Sequence, residues 1–176
     1  LAAAQERFFP TFRRDAKGDT PRGGLDIVRV ALGRGNDGRL RGELTMSRAW
    51  DAEDLLAGSS PGTLCLRLYT SRDPEADPAD HLVCASAPAE GDELRGGVFR
   101  DRVNGLPKRV GDAVVSRPTS RTIHLRFAQS SVGRPATIRF AGETVVWGSR
   151  CSEAVGCRDT APDAPGTVRL PLRGAR

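Results

Sequence analysis

From Leu25 onward, apolar and polar residues trade places with a period of two, the mark of strands that bury one face. In LDIVRVALG (25–33), Val28, Val30 and Leu32 fall on one face and Arg29 on the other. RLRGELTMS (39–47) sets Leu40, Leu44 and Met46 opposite Arg39, Arg41, Glu43 and Thr45. Asn36-Asp37-Gly38 stands between them and accepts positive φ, so the two segments read as a hairpin. TLCLRLYT (63–70) and HLVCAS (81–86) alternate likewise, joined by an acidic loop. Further strands are predicted at 96–102, 112–117, 121–128, 135–141, 143–148 and 167–172. In TIHLRFA, Ile123, Leu125 and Phe127 point inward while His124 and Arg126 point outward. RAWDAEDLLAG (48–58) breaks the rhythm. Its acids come early and Gly58 closes it, which predicts one short helical turn near 50–57. Trp50 on that turn is expected to pack against the strands. Trp147, in phase with Val145, reads as core.

About nine or ten short strands joined by turns predict an all-β fold, a two-sheet antiparallel β-sandwich or jelly roll. Residues 1–12 form a tail or edge segment whose Phe8, Phe9 and Phe12 dock on the domain. Residues 13–174 make a single domain, which suits a chain of 176 residues. No apolar run approaches the roughly 18 residues that would span a bilayer as a helix, so no membrane insertion is expected.

Cysteine spacing narrows the setting. Cys65, Cys84, Cys151 and Cys157 are separated by 18, 66 and 5 residues. Zinc sites want paired short spacings, so two disulfides and an oxidising, secreted or cell-surface location are the expectation. If 63–70 and 81–86 pair antiparallel with Cys65 opposite Cys84, then Leu64 faces Ala85, Leu66 faces Val83 and Leu68 faces His81. The leucines then share one face and the cysteines the other. A one-residue slip would destroy that agreement. Cys151 and Cys157 then close a small local loop. The alternative for each pair is two buried thiols. Leu1-Ala2-Ala3-Ala4 is the kind of small-residue run that flanks a signal-peptidase site, which fits a mature secreted form or a domain of something larger.

Charge changes the picture little. Lys+Arg 27 against Asp+Glu 22 leaves +5, and only Lys17 and Lys108 are lysines. The arginines can form an anion-binding surface. A genome rich in G and C explains the same bias. They are spread along the chain, so no specific nucleic-acid partner is expected.

The acids are more telling. Asp15-Ala-Lys-Gly18-Asp19-Thr-Pro-Arg-Gly-Gly-Leu-Asp26 sets three carboxylates around a Gly-rich turn that enters the first strong strand. Calcium takes six to eight oxygens from carboxylates and backbone carbonyls on such loops. Asp26 lies in phase with Val28 and Val30, so an inward carboxylate needs a cation or several donors. Asp159 can approach from the C-terminal end. The other reading makes these aspartates turn formers that cap backbone N–H groups. Asp73-Pro-Glu75-Ala-Asp77-Pro-Ala-Asp80 is a second acidic run without the spacing of an EF-hand. It reads as a solvated hairpin loop, with a second metal loop as the alternative.

The pattern D-x-x-G-D-x(6)-D-I, then V-R-V, a turn and L-R-G-E-L-T, resembles secreted bacterial jelly-roll domains of the DOMON-like and family-9 carbohydrate-binding-module kind. C-x(5)-C-R-D-x-A-P near the C-terminus is similar to their closing segment. The resemblance covers roughly 13–172. It implies a structural calcium near the chain ends, held by Asp15, Asp19, Asp26 and Asp159, and a glycan or another surface protein as partner. The chain departs from such modules in its few aromatics.

No G-x-S-x-G, H-E-x-x-H or P-loop occurs. His81 and His124 are the only histidines, both expected to be exposed. The sequence therefore predicts no catalytic residues. It predicts a secreted, non-catalytic binding or accessory module, associated with carbohydrate or the cell envelope and stabilised by calcium and disulfides. A structural protein-interaction domain and a small hydrolase are the alternatives.

Overall fold

A computed structural model describes residues 10–58, 60–89 and 93–172. Among them are eleven strands: β1 (Thr11–Arg14), β2 (Ile27–Arg34), β3 (Arg39–Met46), β4 (Thr63–Tyr69), β5 (His81–Ser86), β6 (Arg95–Arg100), β7 (Lys108–Ser116), β8 (Thr122–Ala128), β9 (Thr137–Val146), β10 (Cys157–Ala161) and β11 (Val168–Pro171). The order is β1-β2-β3-β8-β7-β6-β5-β4-β9-β10, every pair antiparallel, with β11 beside the first half of β9 and β10 beside the second. The fold is all-β. The two facing sheets expected from the strand pattern are not confirmed. One continuous ladder curls until β2 meets β9 and β10, and β1 meets β11, a nearly closed barrel. Strand twist lets so long a sheet wrap a single core.

That core holds Phe127, Phe140, Leu40, Leu44, Leu64 and Leu66, all fully buried. The β4–β5 register is the one the sequence dictates: Leu64 opposite Ala85, Leu66 opposite Val83, Leu68 opposite His81 and Cys65 opposite Cys84. Both disulfides are formed, Cys65–Cys84 and Cys151–Cys157. The two strands predicted at 135–141 and 143–148 merge into the ten-residue β9. Gly142 lies inside that strand because a Cβ there would stand 2.6 Å from Leu44 Cδ2 across the interior.

The first hairpin carries a bulge. Ile27 pairs Met46 while Arg29 pairs Thr45, so Val28 is an extra residue. Ile27 and Val30 are both fully buried, and Val28 is left half-buried outside the core. The expected inward phase of Val28 is thereby corrected. Asp26 shifts with it, alternating with buried Leu25 and Ile27 and lying under the 15–24 loop rather than in the apolar interior.

The helical segment is a 3-10 turn, Ala52–Leu55. Asp51 accepts from the amides of Glu53 and Asp54, and Asp54 returns the bond to Asp51 N, a capping box. Trp50 is buried there, its indole N–H donating to Arg121 O at 3.2 Å and the Arg117 guanidinium 3.8 Å over its ring. Of the N-terminal aromatics, Phe8 and Phe9 lie outside the described residues. Phe12 sits on β1 at the sheet edge, half-exposed beneath the Arg29 guanidinium. Among the described residues, no helix is long and apolar enough to cross a membrane.

Candidate metal centre

The seam where β2 meets β10 has no ladder of its own, and side chains bridge it. Asp159 on β10 accepts from Ile27 N at 2.6 Å. Its partner across β9, Thr144, donates to Leu25 O at 2.6 Å. Asp15, at the end of β1, anchors the loop by donating its backbone N–H to Val28 O. Gly18, at φ +86°, turns that loop so that its own N–H reaches both oxygens of Asp26, at 3.1 and 3.0 Å. Only glycine adopts that φ freely.

These constraints gather the acids. One oxygen from each of Asp19, Asp26 and Asp159 lies within 4.8 Å of the others, and Asp15, Asp19 and Asp163 form a second such group. The four aspartates named from the sequence therefore converge on one place. Asp163 is a ligand candidate that the sequence reading missed. Its only cue was the four-residue step from Asp159 across Ala161-Pro162, which equally marks a turn. Asp159 is 6% exposed and Asp26 5% exposed, and no Lys or Arg pairs with any of the five among the described residues.

Burial pushes the Asp159 carboxyl up to about 7, opposed by the Ile27 N–H and reinforced by the charges of Asp19, Asp26 and Asp15. Asp19 is raised by burial and by the hydrogen bond it shares with Asp26. Asp15 is raised by burial and by the charges of Asp163 and Asp26. Asp15 Oδ2 and Thr20 Oγ1 are buried without a hydrogen-bond partner. Carboxylates crowded this way repel, and only a proton or a cation relieves them. The donor set is all oxygen, drawn from the 15–26 loop, β10 and the turn after it, unlike the nitrogen and sulfur that zinc prefers.

The second acidic run satisfies itself. Glu75 N donates to Asp73 Oδ1 and Asp73 N to Asp77 Oδ2. Asp80 receives the amides of Thr70, Ser71 and Arg72 and the Ser71 hydroxyl.

The histidines divide. His124 faces outward as expected, its Nε2 2.9 Å from Glu43 Oε2. His81 is buried, not exposed, because it shares the inward face of Val83 and Ala85. Burial and the Arg100 charge hold its pKa low. No hydroxyl is hydrogen-bonded to either imidazole among the described residues.

Trp147 also departs from expectation. It does share the phase of Val145, but in β9 that phase is the outer one: Ile138, Phe140, Thr144 and Val146 fill the inner positions. Trp147 instead lines an open cleft of about 1070 Å³ over β4, β5, β6 and β9. Comparison with protein-family models, with curated proteins and with solved structures finds no match for this chain.

Proposed function

We propose that this chain is a secreted, non-catalytic binding module of jelly-roll descent, stabilised by calcium and two disulfides and directed to carbohydrate or another component of the cell envelope. The observation that carries the calcium reading is the convergence of Asp15, Asp19, Asp26 and Asp159, with Asp163, at a seam where, among the described residues, no Lys or Arg forms an ion pair with them. A cation there ties the N-terminal loop to β10 and so clasps the two ends of the sheet. The disulfides and the DOMON-like sequence pattern support an extracellular setting.

Thermal melting of metal-free protein tests the reading. Calcium that binds only the folded state adds about 2.7 kcal/mol at a hundredfold excess over Kd. Chelator should lower Tm, calcium should restore it, and magnesium should do so far less. Asp19→Ala and Asp26→Ala should abolish the response. A Tm indifferent to calcium and chelator would reduce the cluster to turn formers. A glycan-binding screen run with and without calcium tests the binding role.

A further inference from the structure

The cleft that holds Trp147 has the wrong face for a solvated sheet. Outward positions of an antiparallel sheet are ordinarily polar. On β2, β3 and β8 they carry Arg29 and His124, each in contact with Glu43 between them. On β4, β5 and β9 the outward positions include the Cys65–Cys84 bridge, Leu82 and Val145, and these floor the cleft. Phe99 and Trp147 wall it. Leu106, 85% exposed, and Val155, 66% exposed, stand at its lips.

The lip beside Trp147 is built. The Cys151–Cys157 bridge encloses five residues, the last of which, Gly156 at φ +70°, lies so close that a Cβ would stand 2.9 Å from the indole ring. A staple this short stabilises less by chain entropy than one that closes a longer loop. It also carries Ala154 and Val155, which line the cleft.

The rim is cationic. Arg95, Arg109 and Arg158 face one acid, Glu143, which Arg67 and Arg158 already engage. Arg109 holds Asp112 and Gly96 O, while the Arg95 guanidinium makes no ion pair or hydrogen bond among the described residues. An apolar trough with a spare guanidinium at its edge is complementary to one kind of guest. We infer that the cleft binds a single amphipathic organic anion, its apolar body on Trp147, Phe99 and the disulfide and its acidic head at Arg95. This rests on the binding-module reading and narrows it from glycans to acidic amphiphiles of the envelope.

Decanoate is the probe, titrated below micelle formation by calorimetry and by tryptophan emission. Trp50 is buried elsewhere, so emission changes report Trp147. Decanoate should bind saturably, acetate should not, and decanol should bind more weakly. Arg95→Ala, at an exposed position, should weaken decanoate about tenfold, the low end for a charge-assisted contact, and leave decanol unchanged. Val155→Asp should weaken both. The inference is overturned by no saturable decanoate binding, by decanol matching decanoate, by a neutral malto-oligosaccharide binding where decanoate does not, or by binding only to phosphatidylglycerol vesicles. The calcium effect on Tm is measured on the same samples. A lost calcium response beside intact decanoate binding sinks the metal site alone, and the converse sinks the cleft alone.

Discussion

Asp80 and Asp159 are both aspartates, 9% and 6% exposed, the first just before β5 and the second at the middle of β10. Their surroundings are opposite. Burial works to raise the Asp80 pKa, but three amides and the Ser71 hydroxyl together hold it below the usual carboxylate range. Asp159 has one amide and a ring of like charges, and burial lifts it to about 7. Burial alone therefore does not make a carboxylate hungry for a cation. The count of donors already aimed at it decides. Asp80 organises a loop and needs nothing further. Asp159 and its neighbours are left owing a positive charge.

The harshest way to probe this contrast is Asp80→Ala. It leaves three part-buried amides and the Ser71 hydroxyl without their acceptor, and we expect about 3 kcal/mol of lost stability in urea unfolding, the same with calcium or chelator. A calcium-dependent loss would erase the distinction between the sites.

Asp159→Asn should come next, and its sign should depend on metal. Asparagine still accepts the Ile27 amide but relieves repulsion, so in chelator the variant should be more stable than wild type. In saturating calcium it should forfeit most of the roughly 2.7 kcal/mol that a hundredfold excess of metal supplies. The same sign in both conditions would refute a cation at this cluster.

A pH series is gentler. A carboxyl whose folded pKa is raised binds more protons folded than unfolded, so its contribution falls as pH rises from about 4 to about 7. Metal-free wild type should thus melt lower at about pH 8 than at about pH 5.5, and Asp159→Asn or added calcium should flatten that slope. Asp80 runs the other way. Its folded pKa is depressed, so its stabilisation is present above the unfolded value and is lost as pH falls through and below the carboxylate range. Smallest of all, Asp77→Ala should stay within about 0.5 kcal/mol of wild type and keep its calcium response.

Period-two patterning carried most of the strand list, and one pair of cysteines carried a whole register. Cys65 opposite Cys84 forces Leu64, Leu66 and Leu68 onto the core face, so pattern and covalent chemistry had a single solution. The failures share a cause. The bulge at Val28 inverts the phase of everything before it, and no residue type announces a bulge there. Trp147 obeyed its phase with Val145, but periodicity says which residues share a face and not which face is inside. CRDTA was overlooked as β10 because its inward positions include Asp159, a charge that makes sense only beside Asp26 and Asp19. Asp163 joins across the fold from residues nearly 150 positions earlier, a proximity that spacing cannot express.

The seam has one more consequence. A closed barrel has no edges, but this sheet stops short of closure, and its ends are fastened by Asp159, Thr144 and the 15–26 loop in place of a ladder. Loosen the fastening and the outer edge of β10, with the start of β2 that β1 leaves uncovered, becomes available to another chain, the usual opening for strand exchange and aggregation. The acidic clasp then governs colloidal behaviour as well as melting. Protein handled in chelator should self-associate at concentrations where calcium-loaded protein stays monomeric, with β10 the strand to change hands.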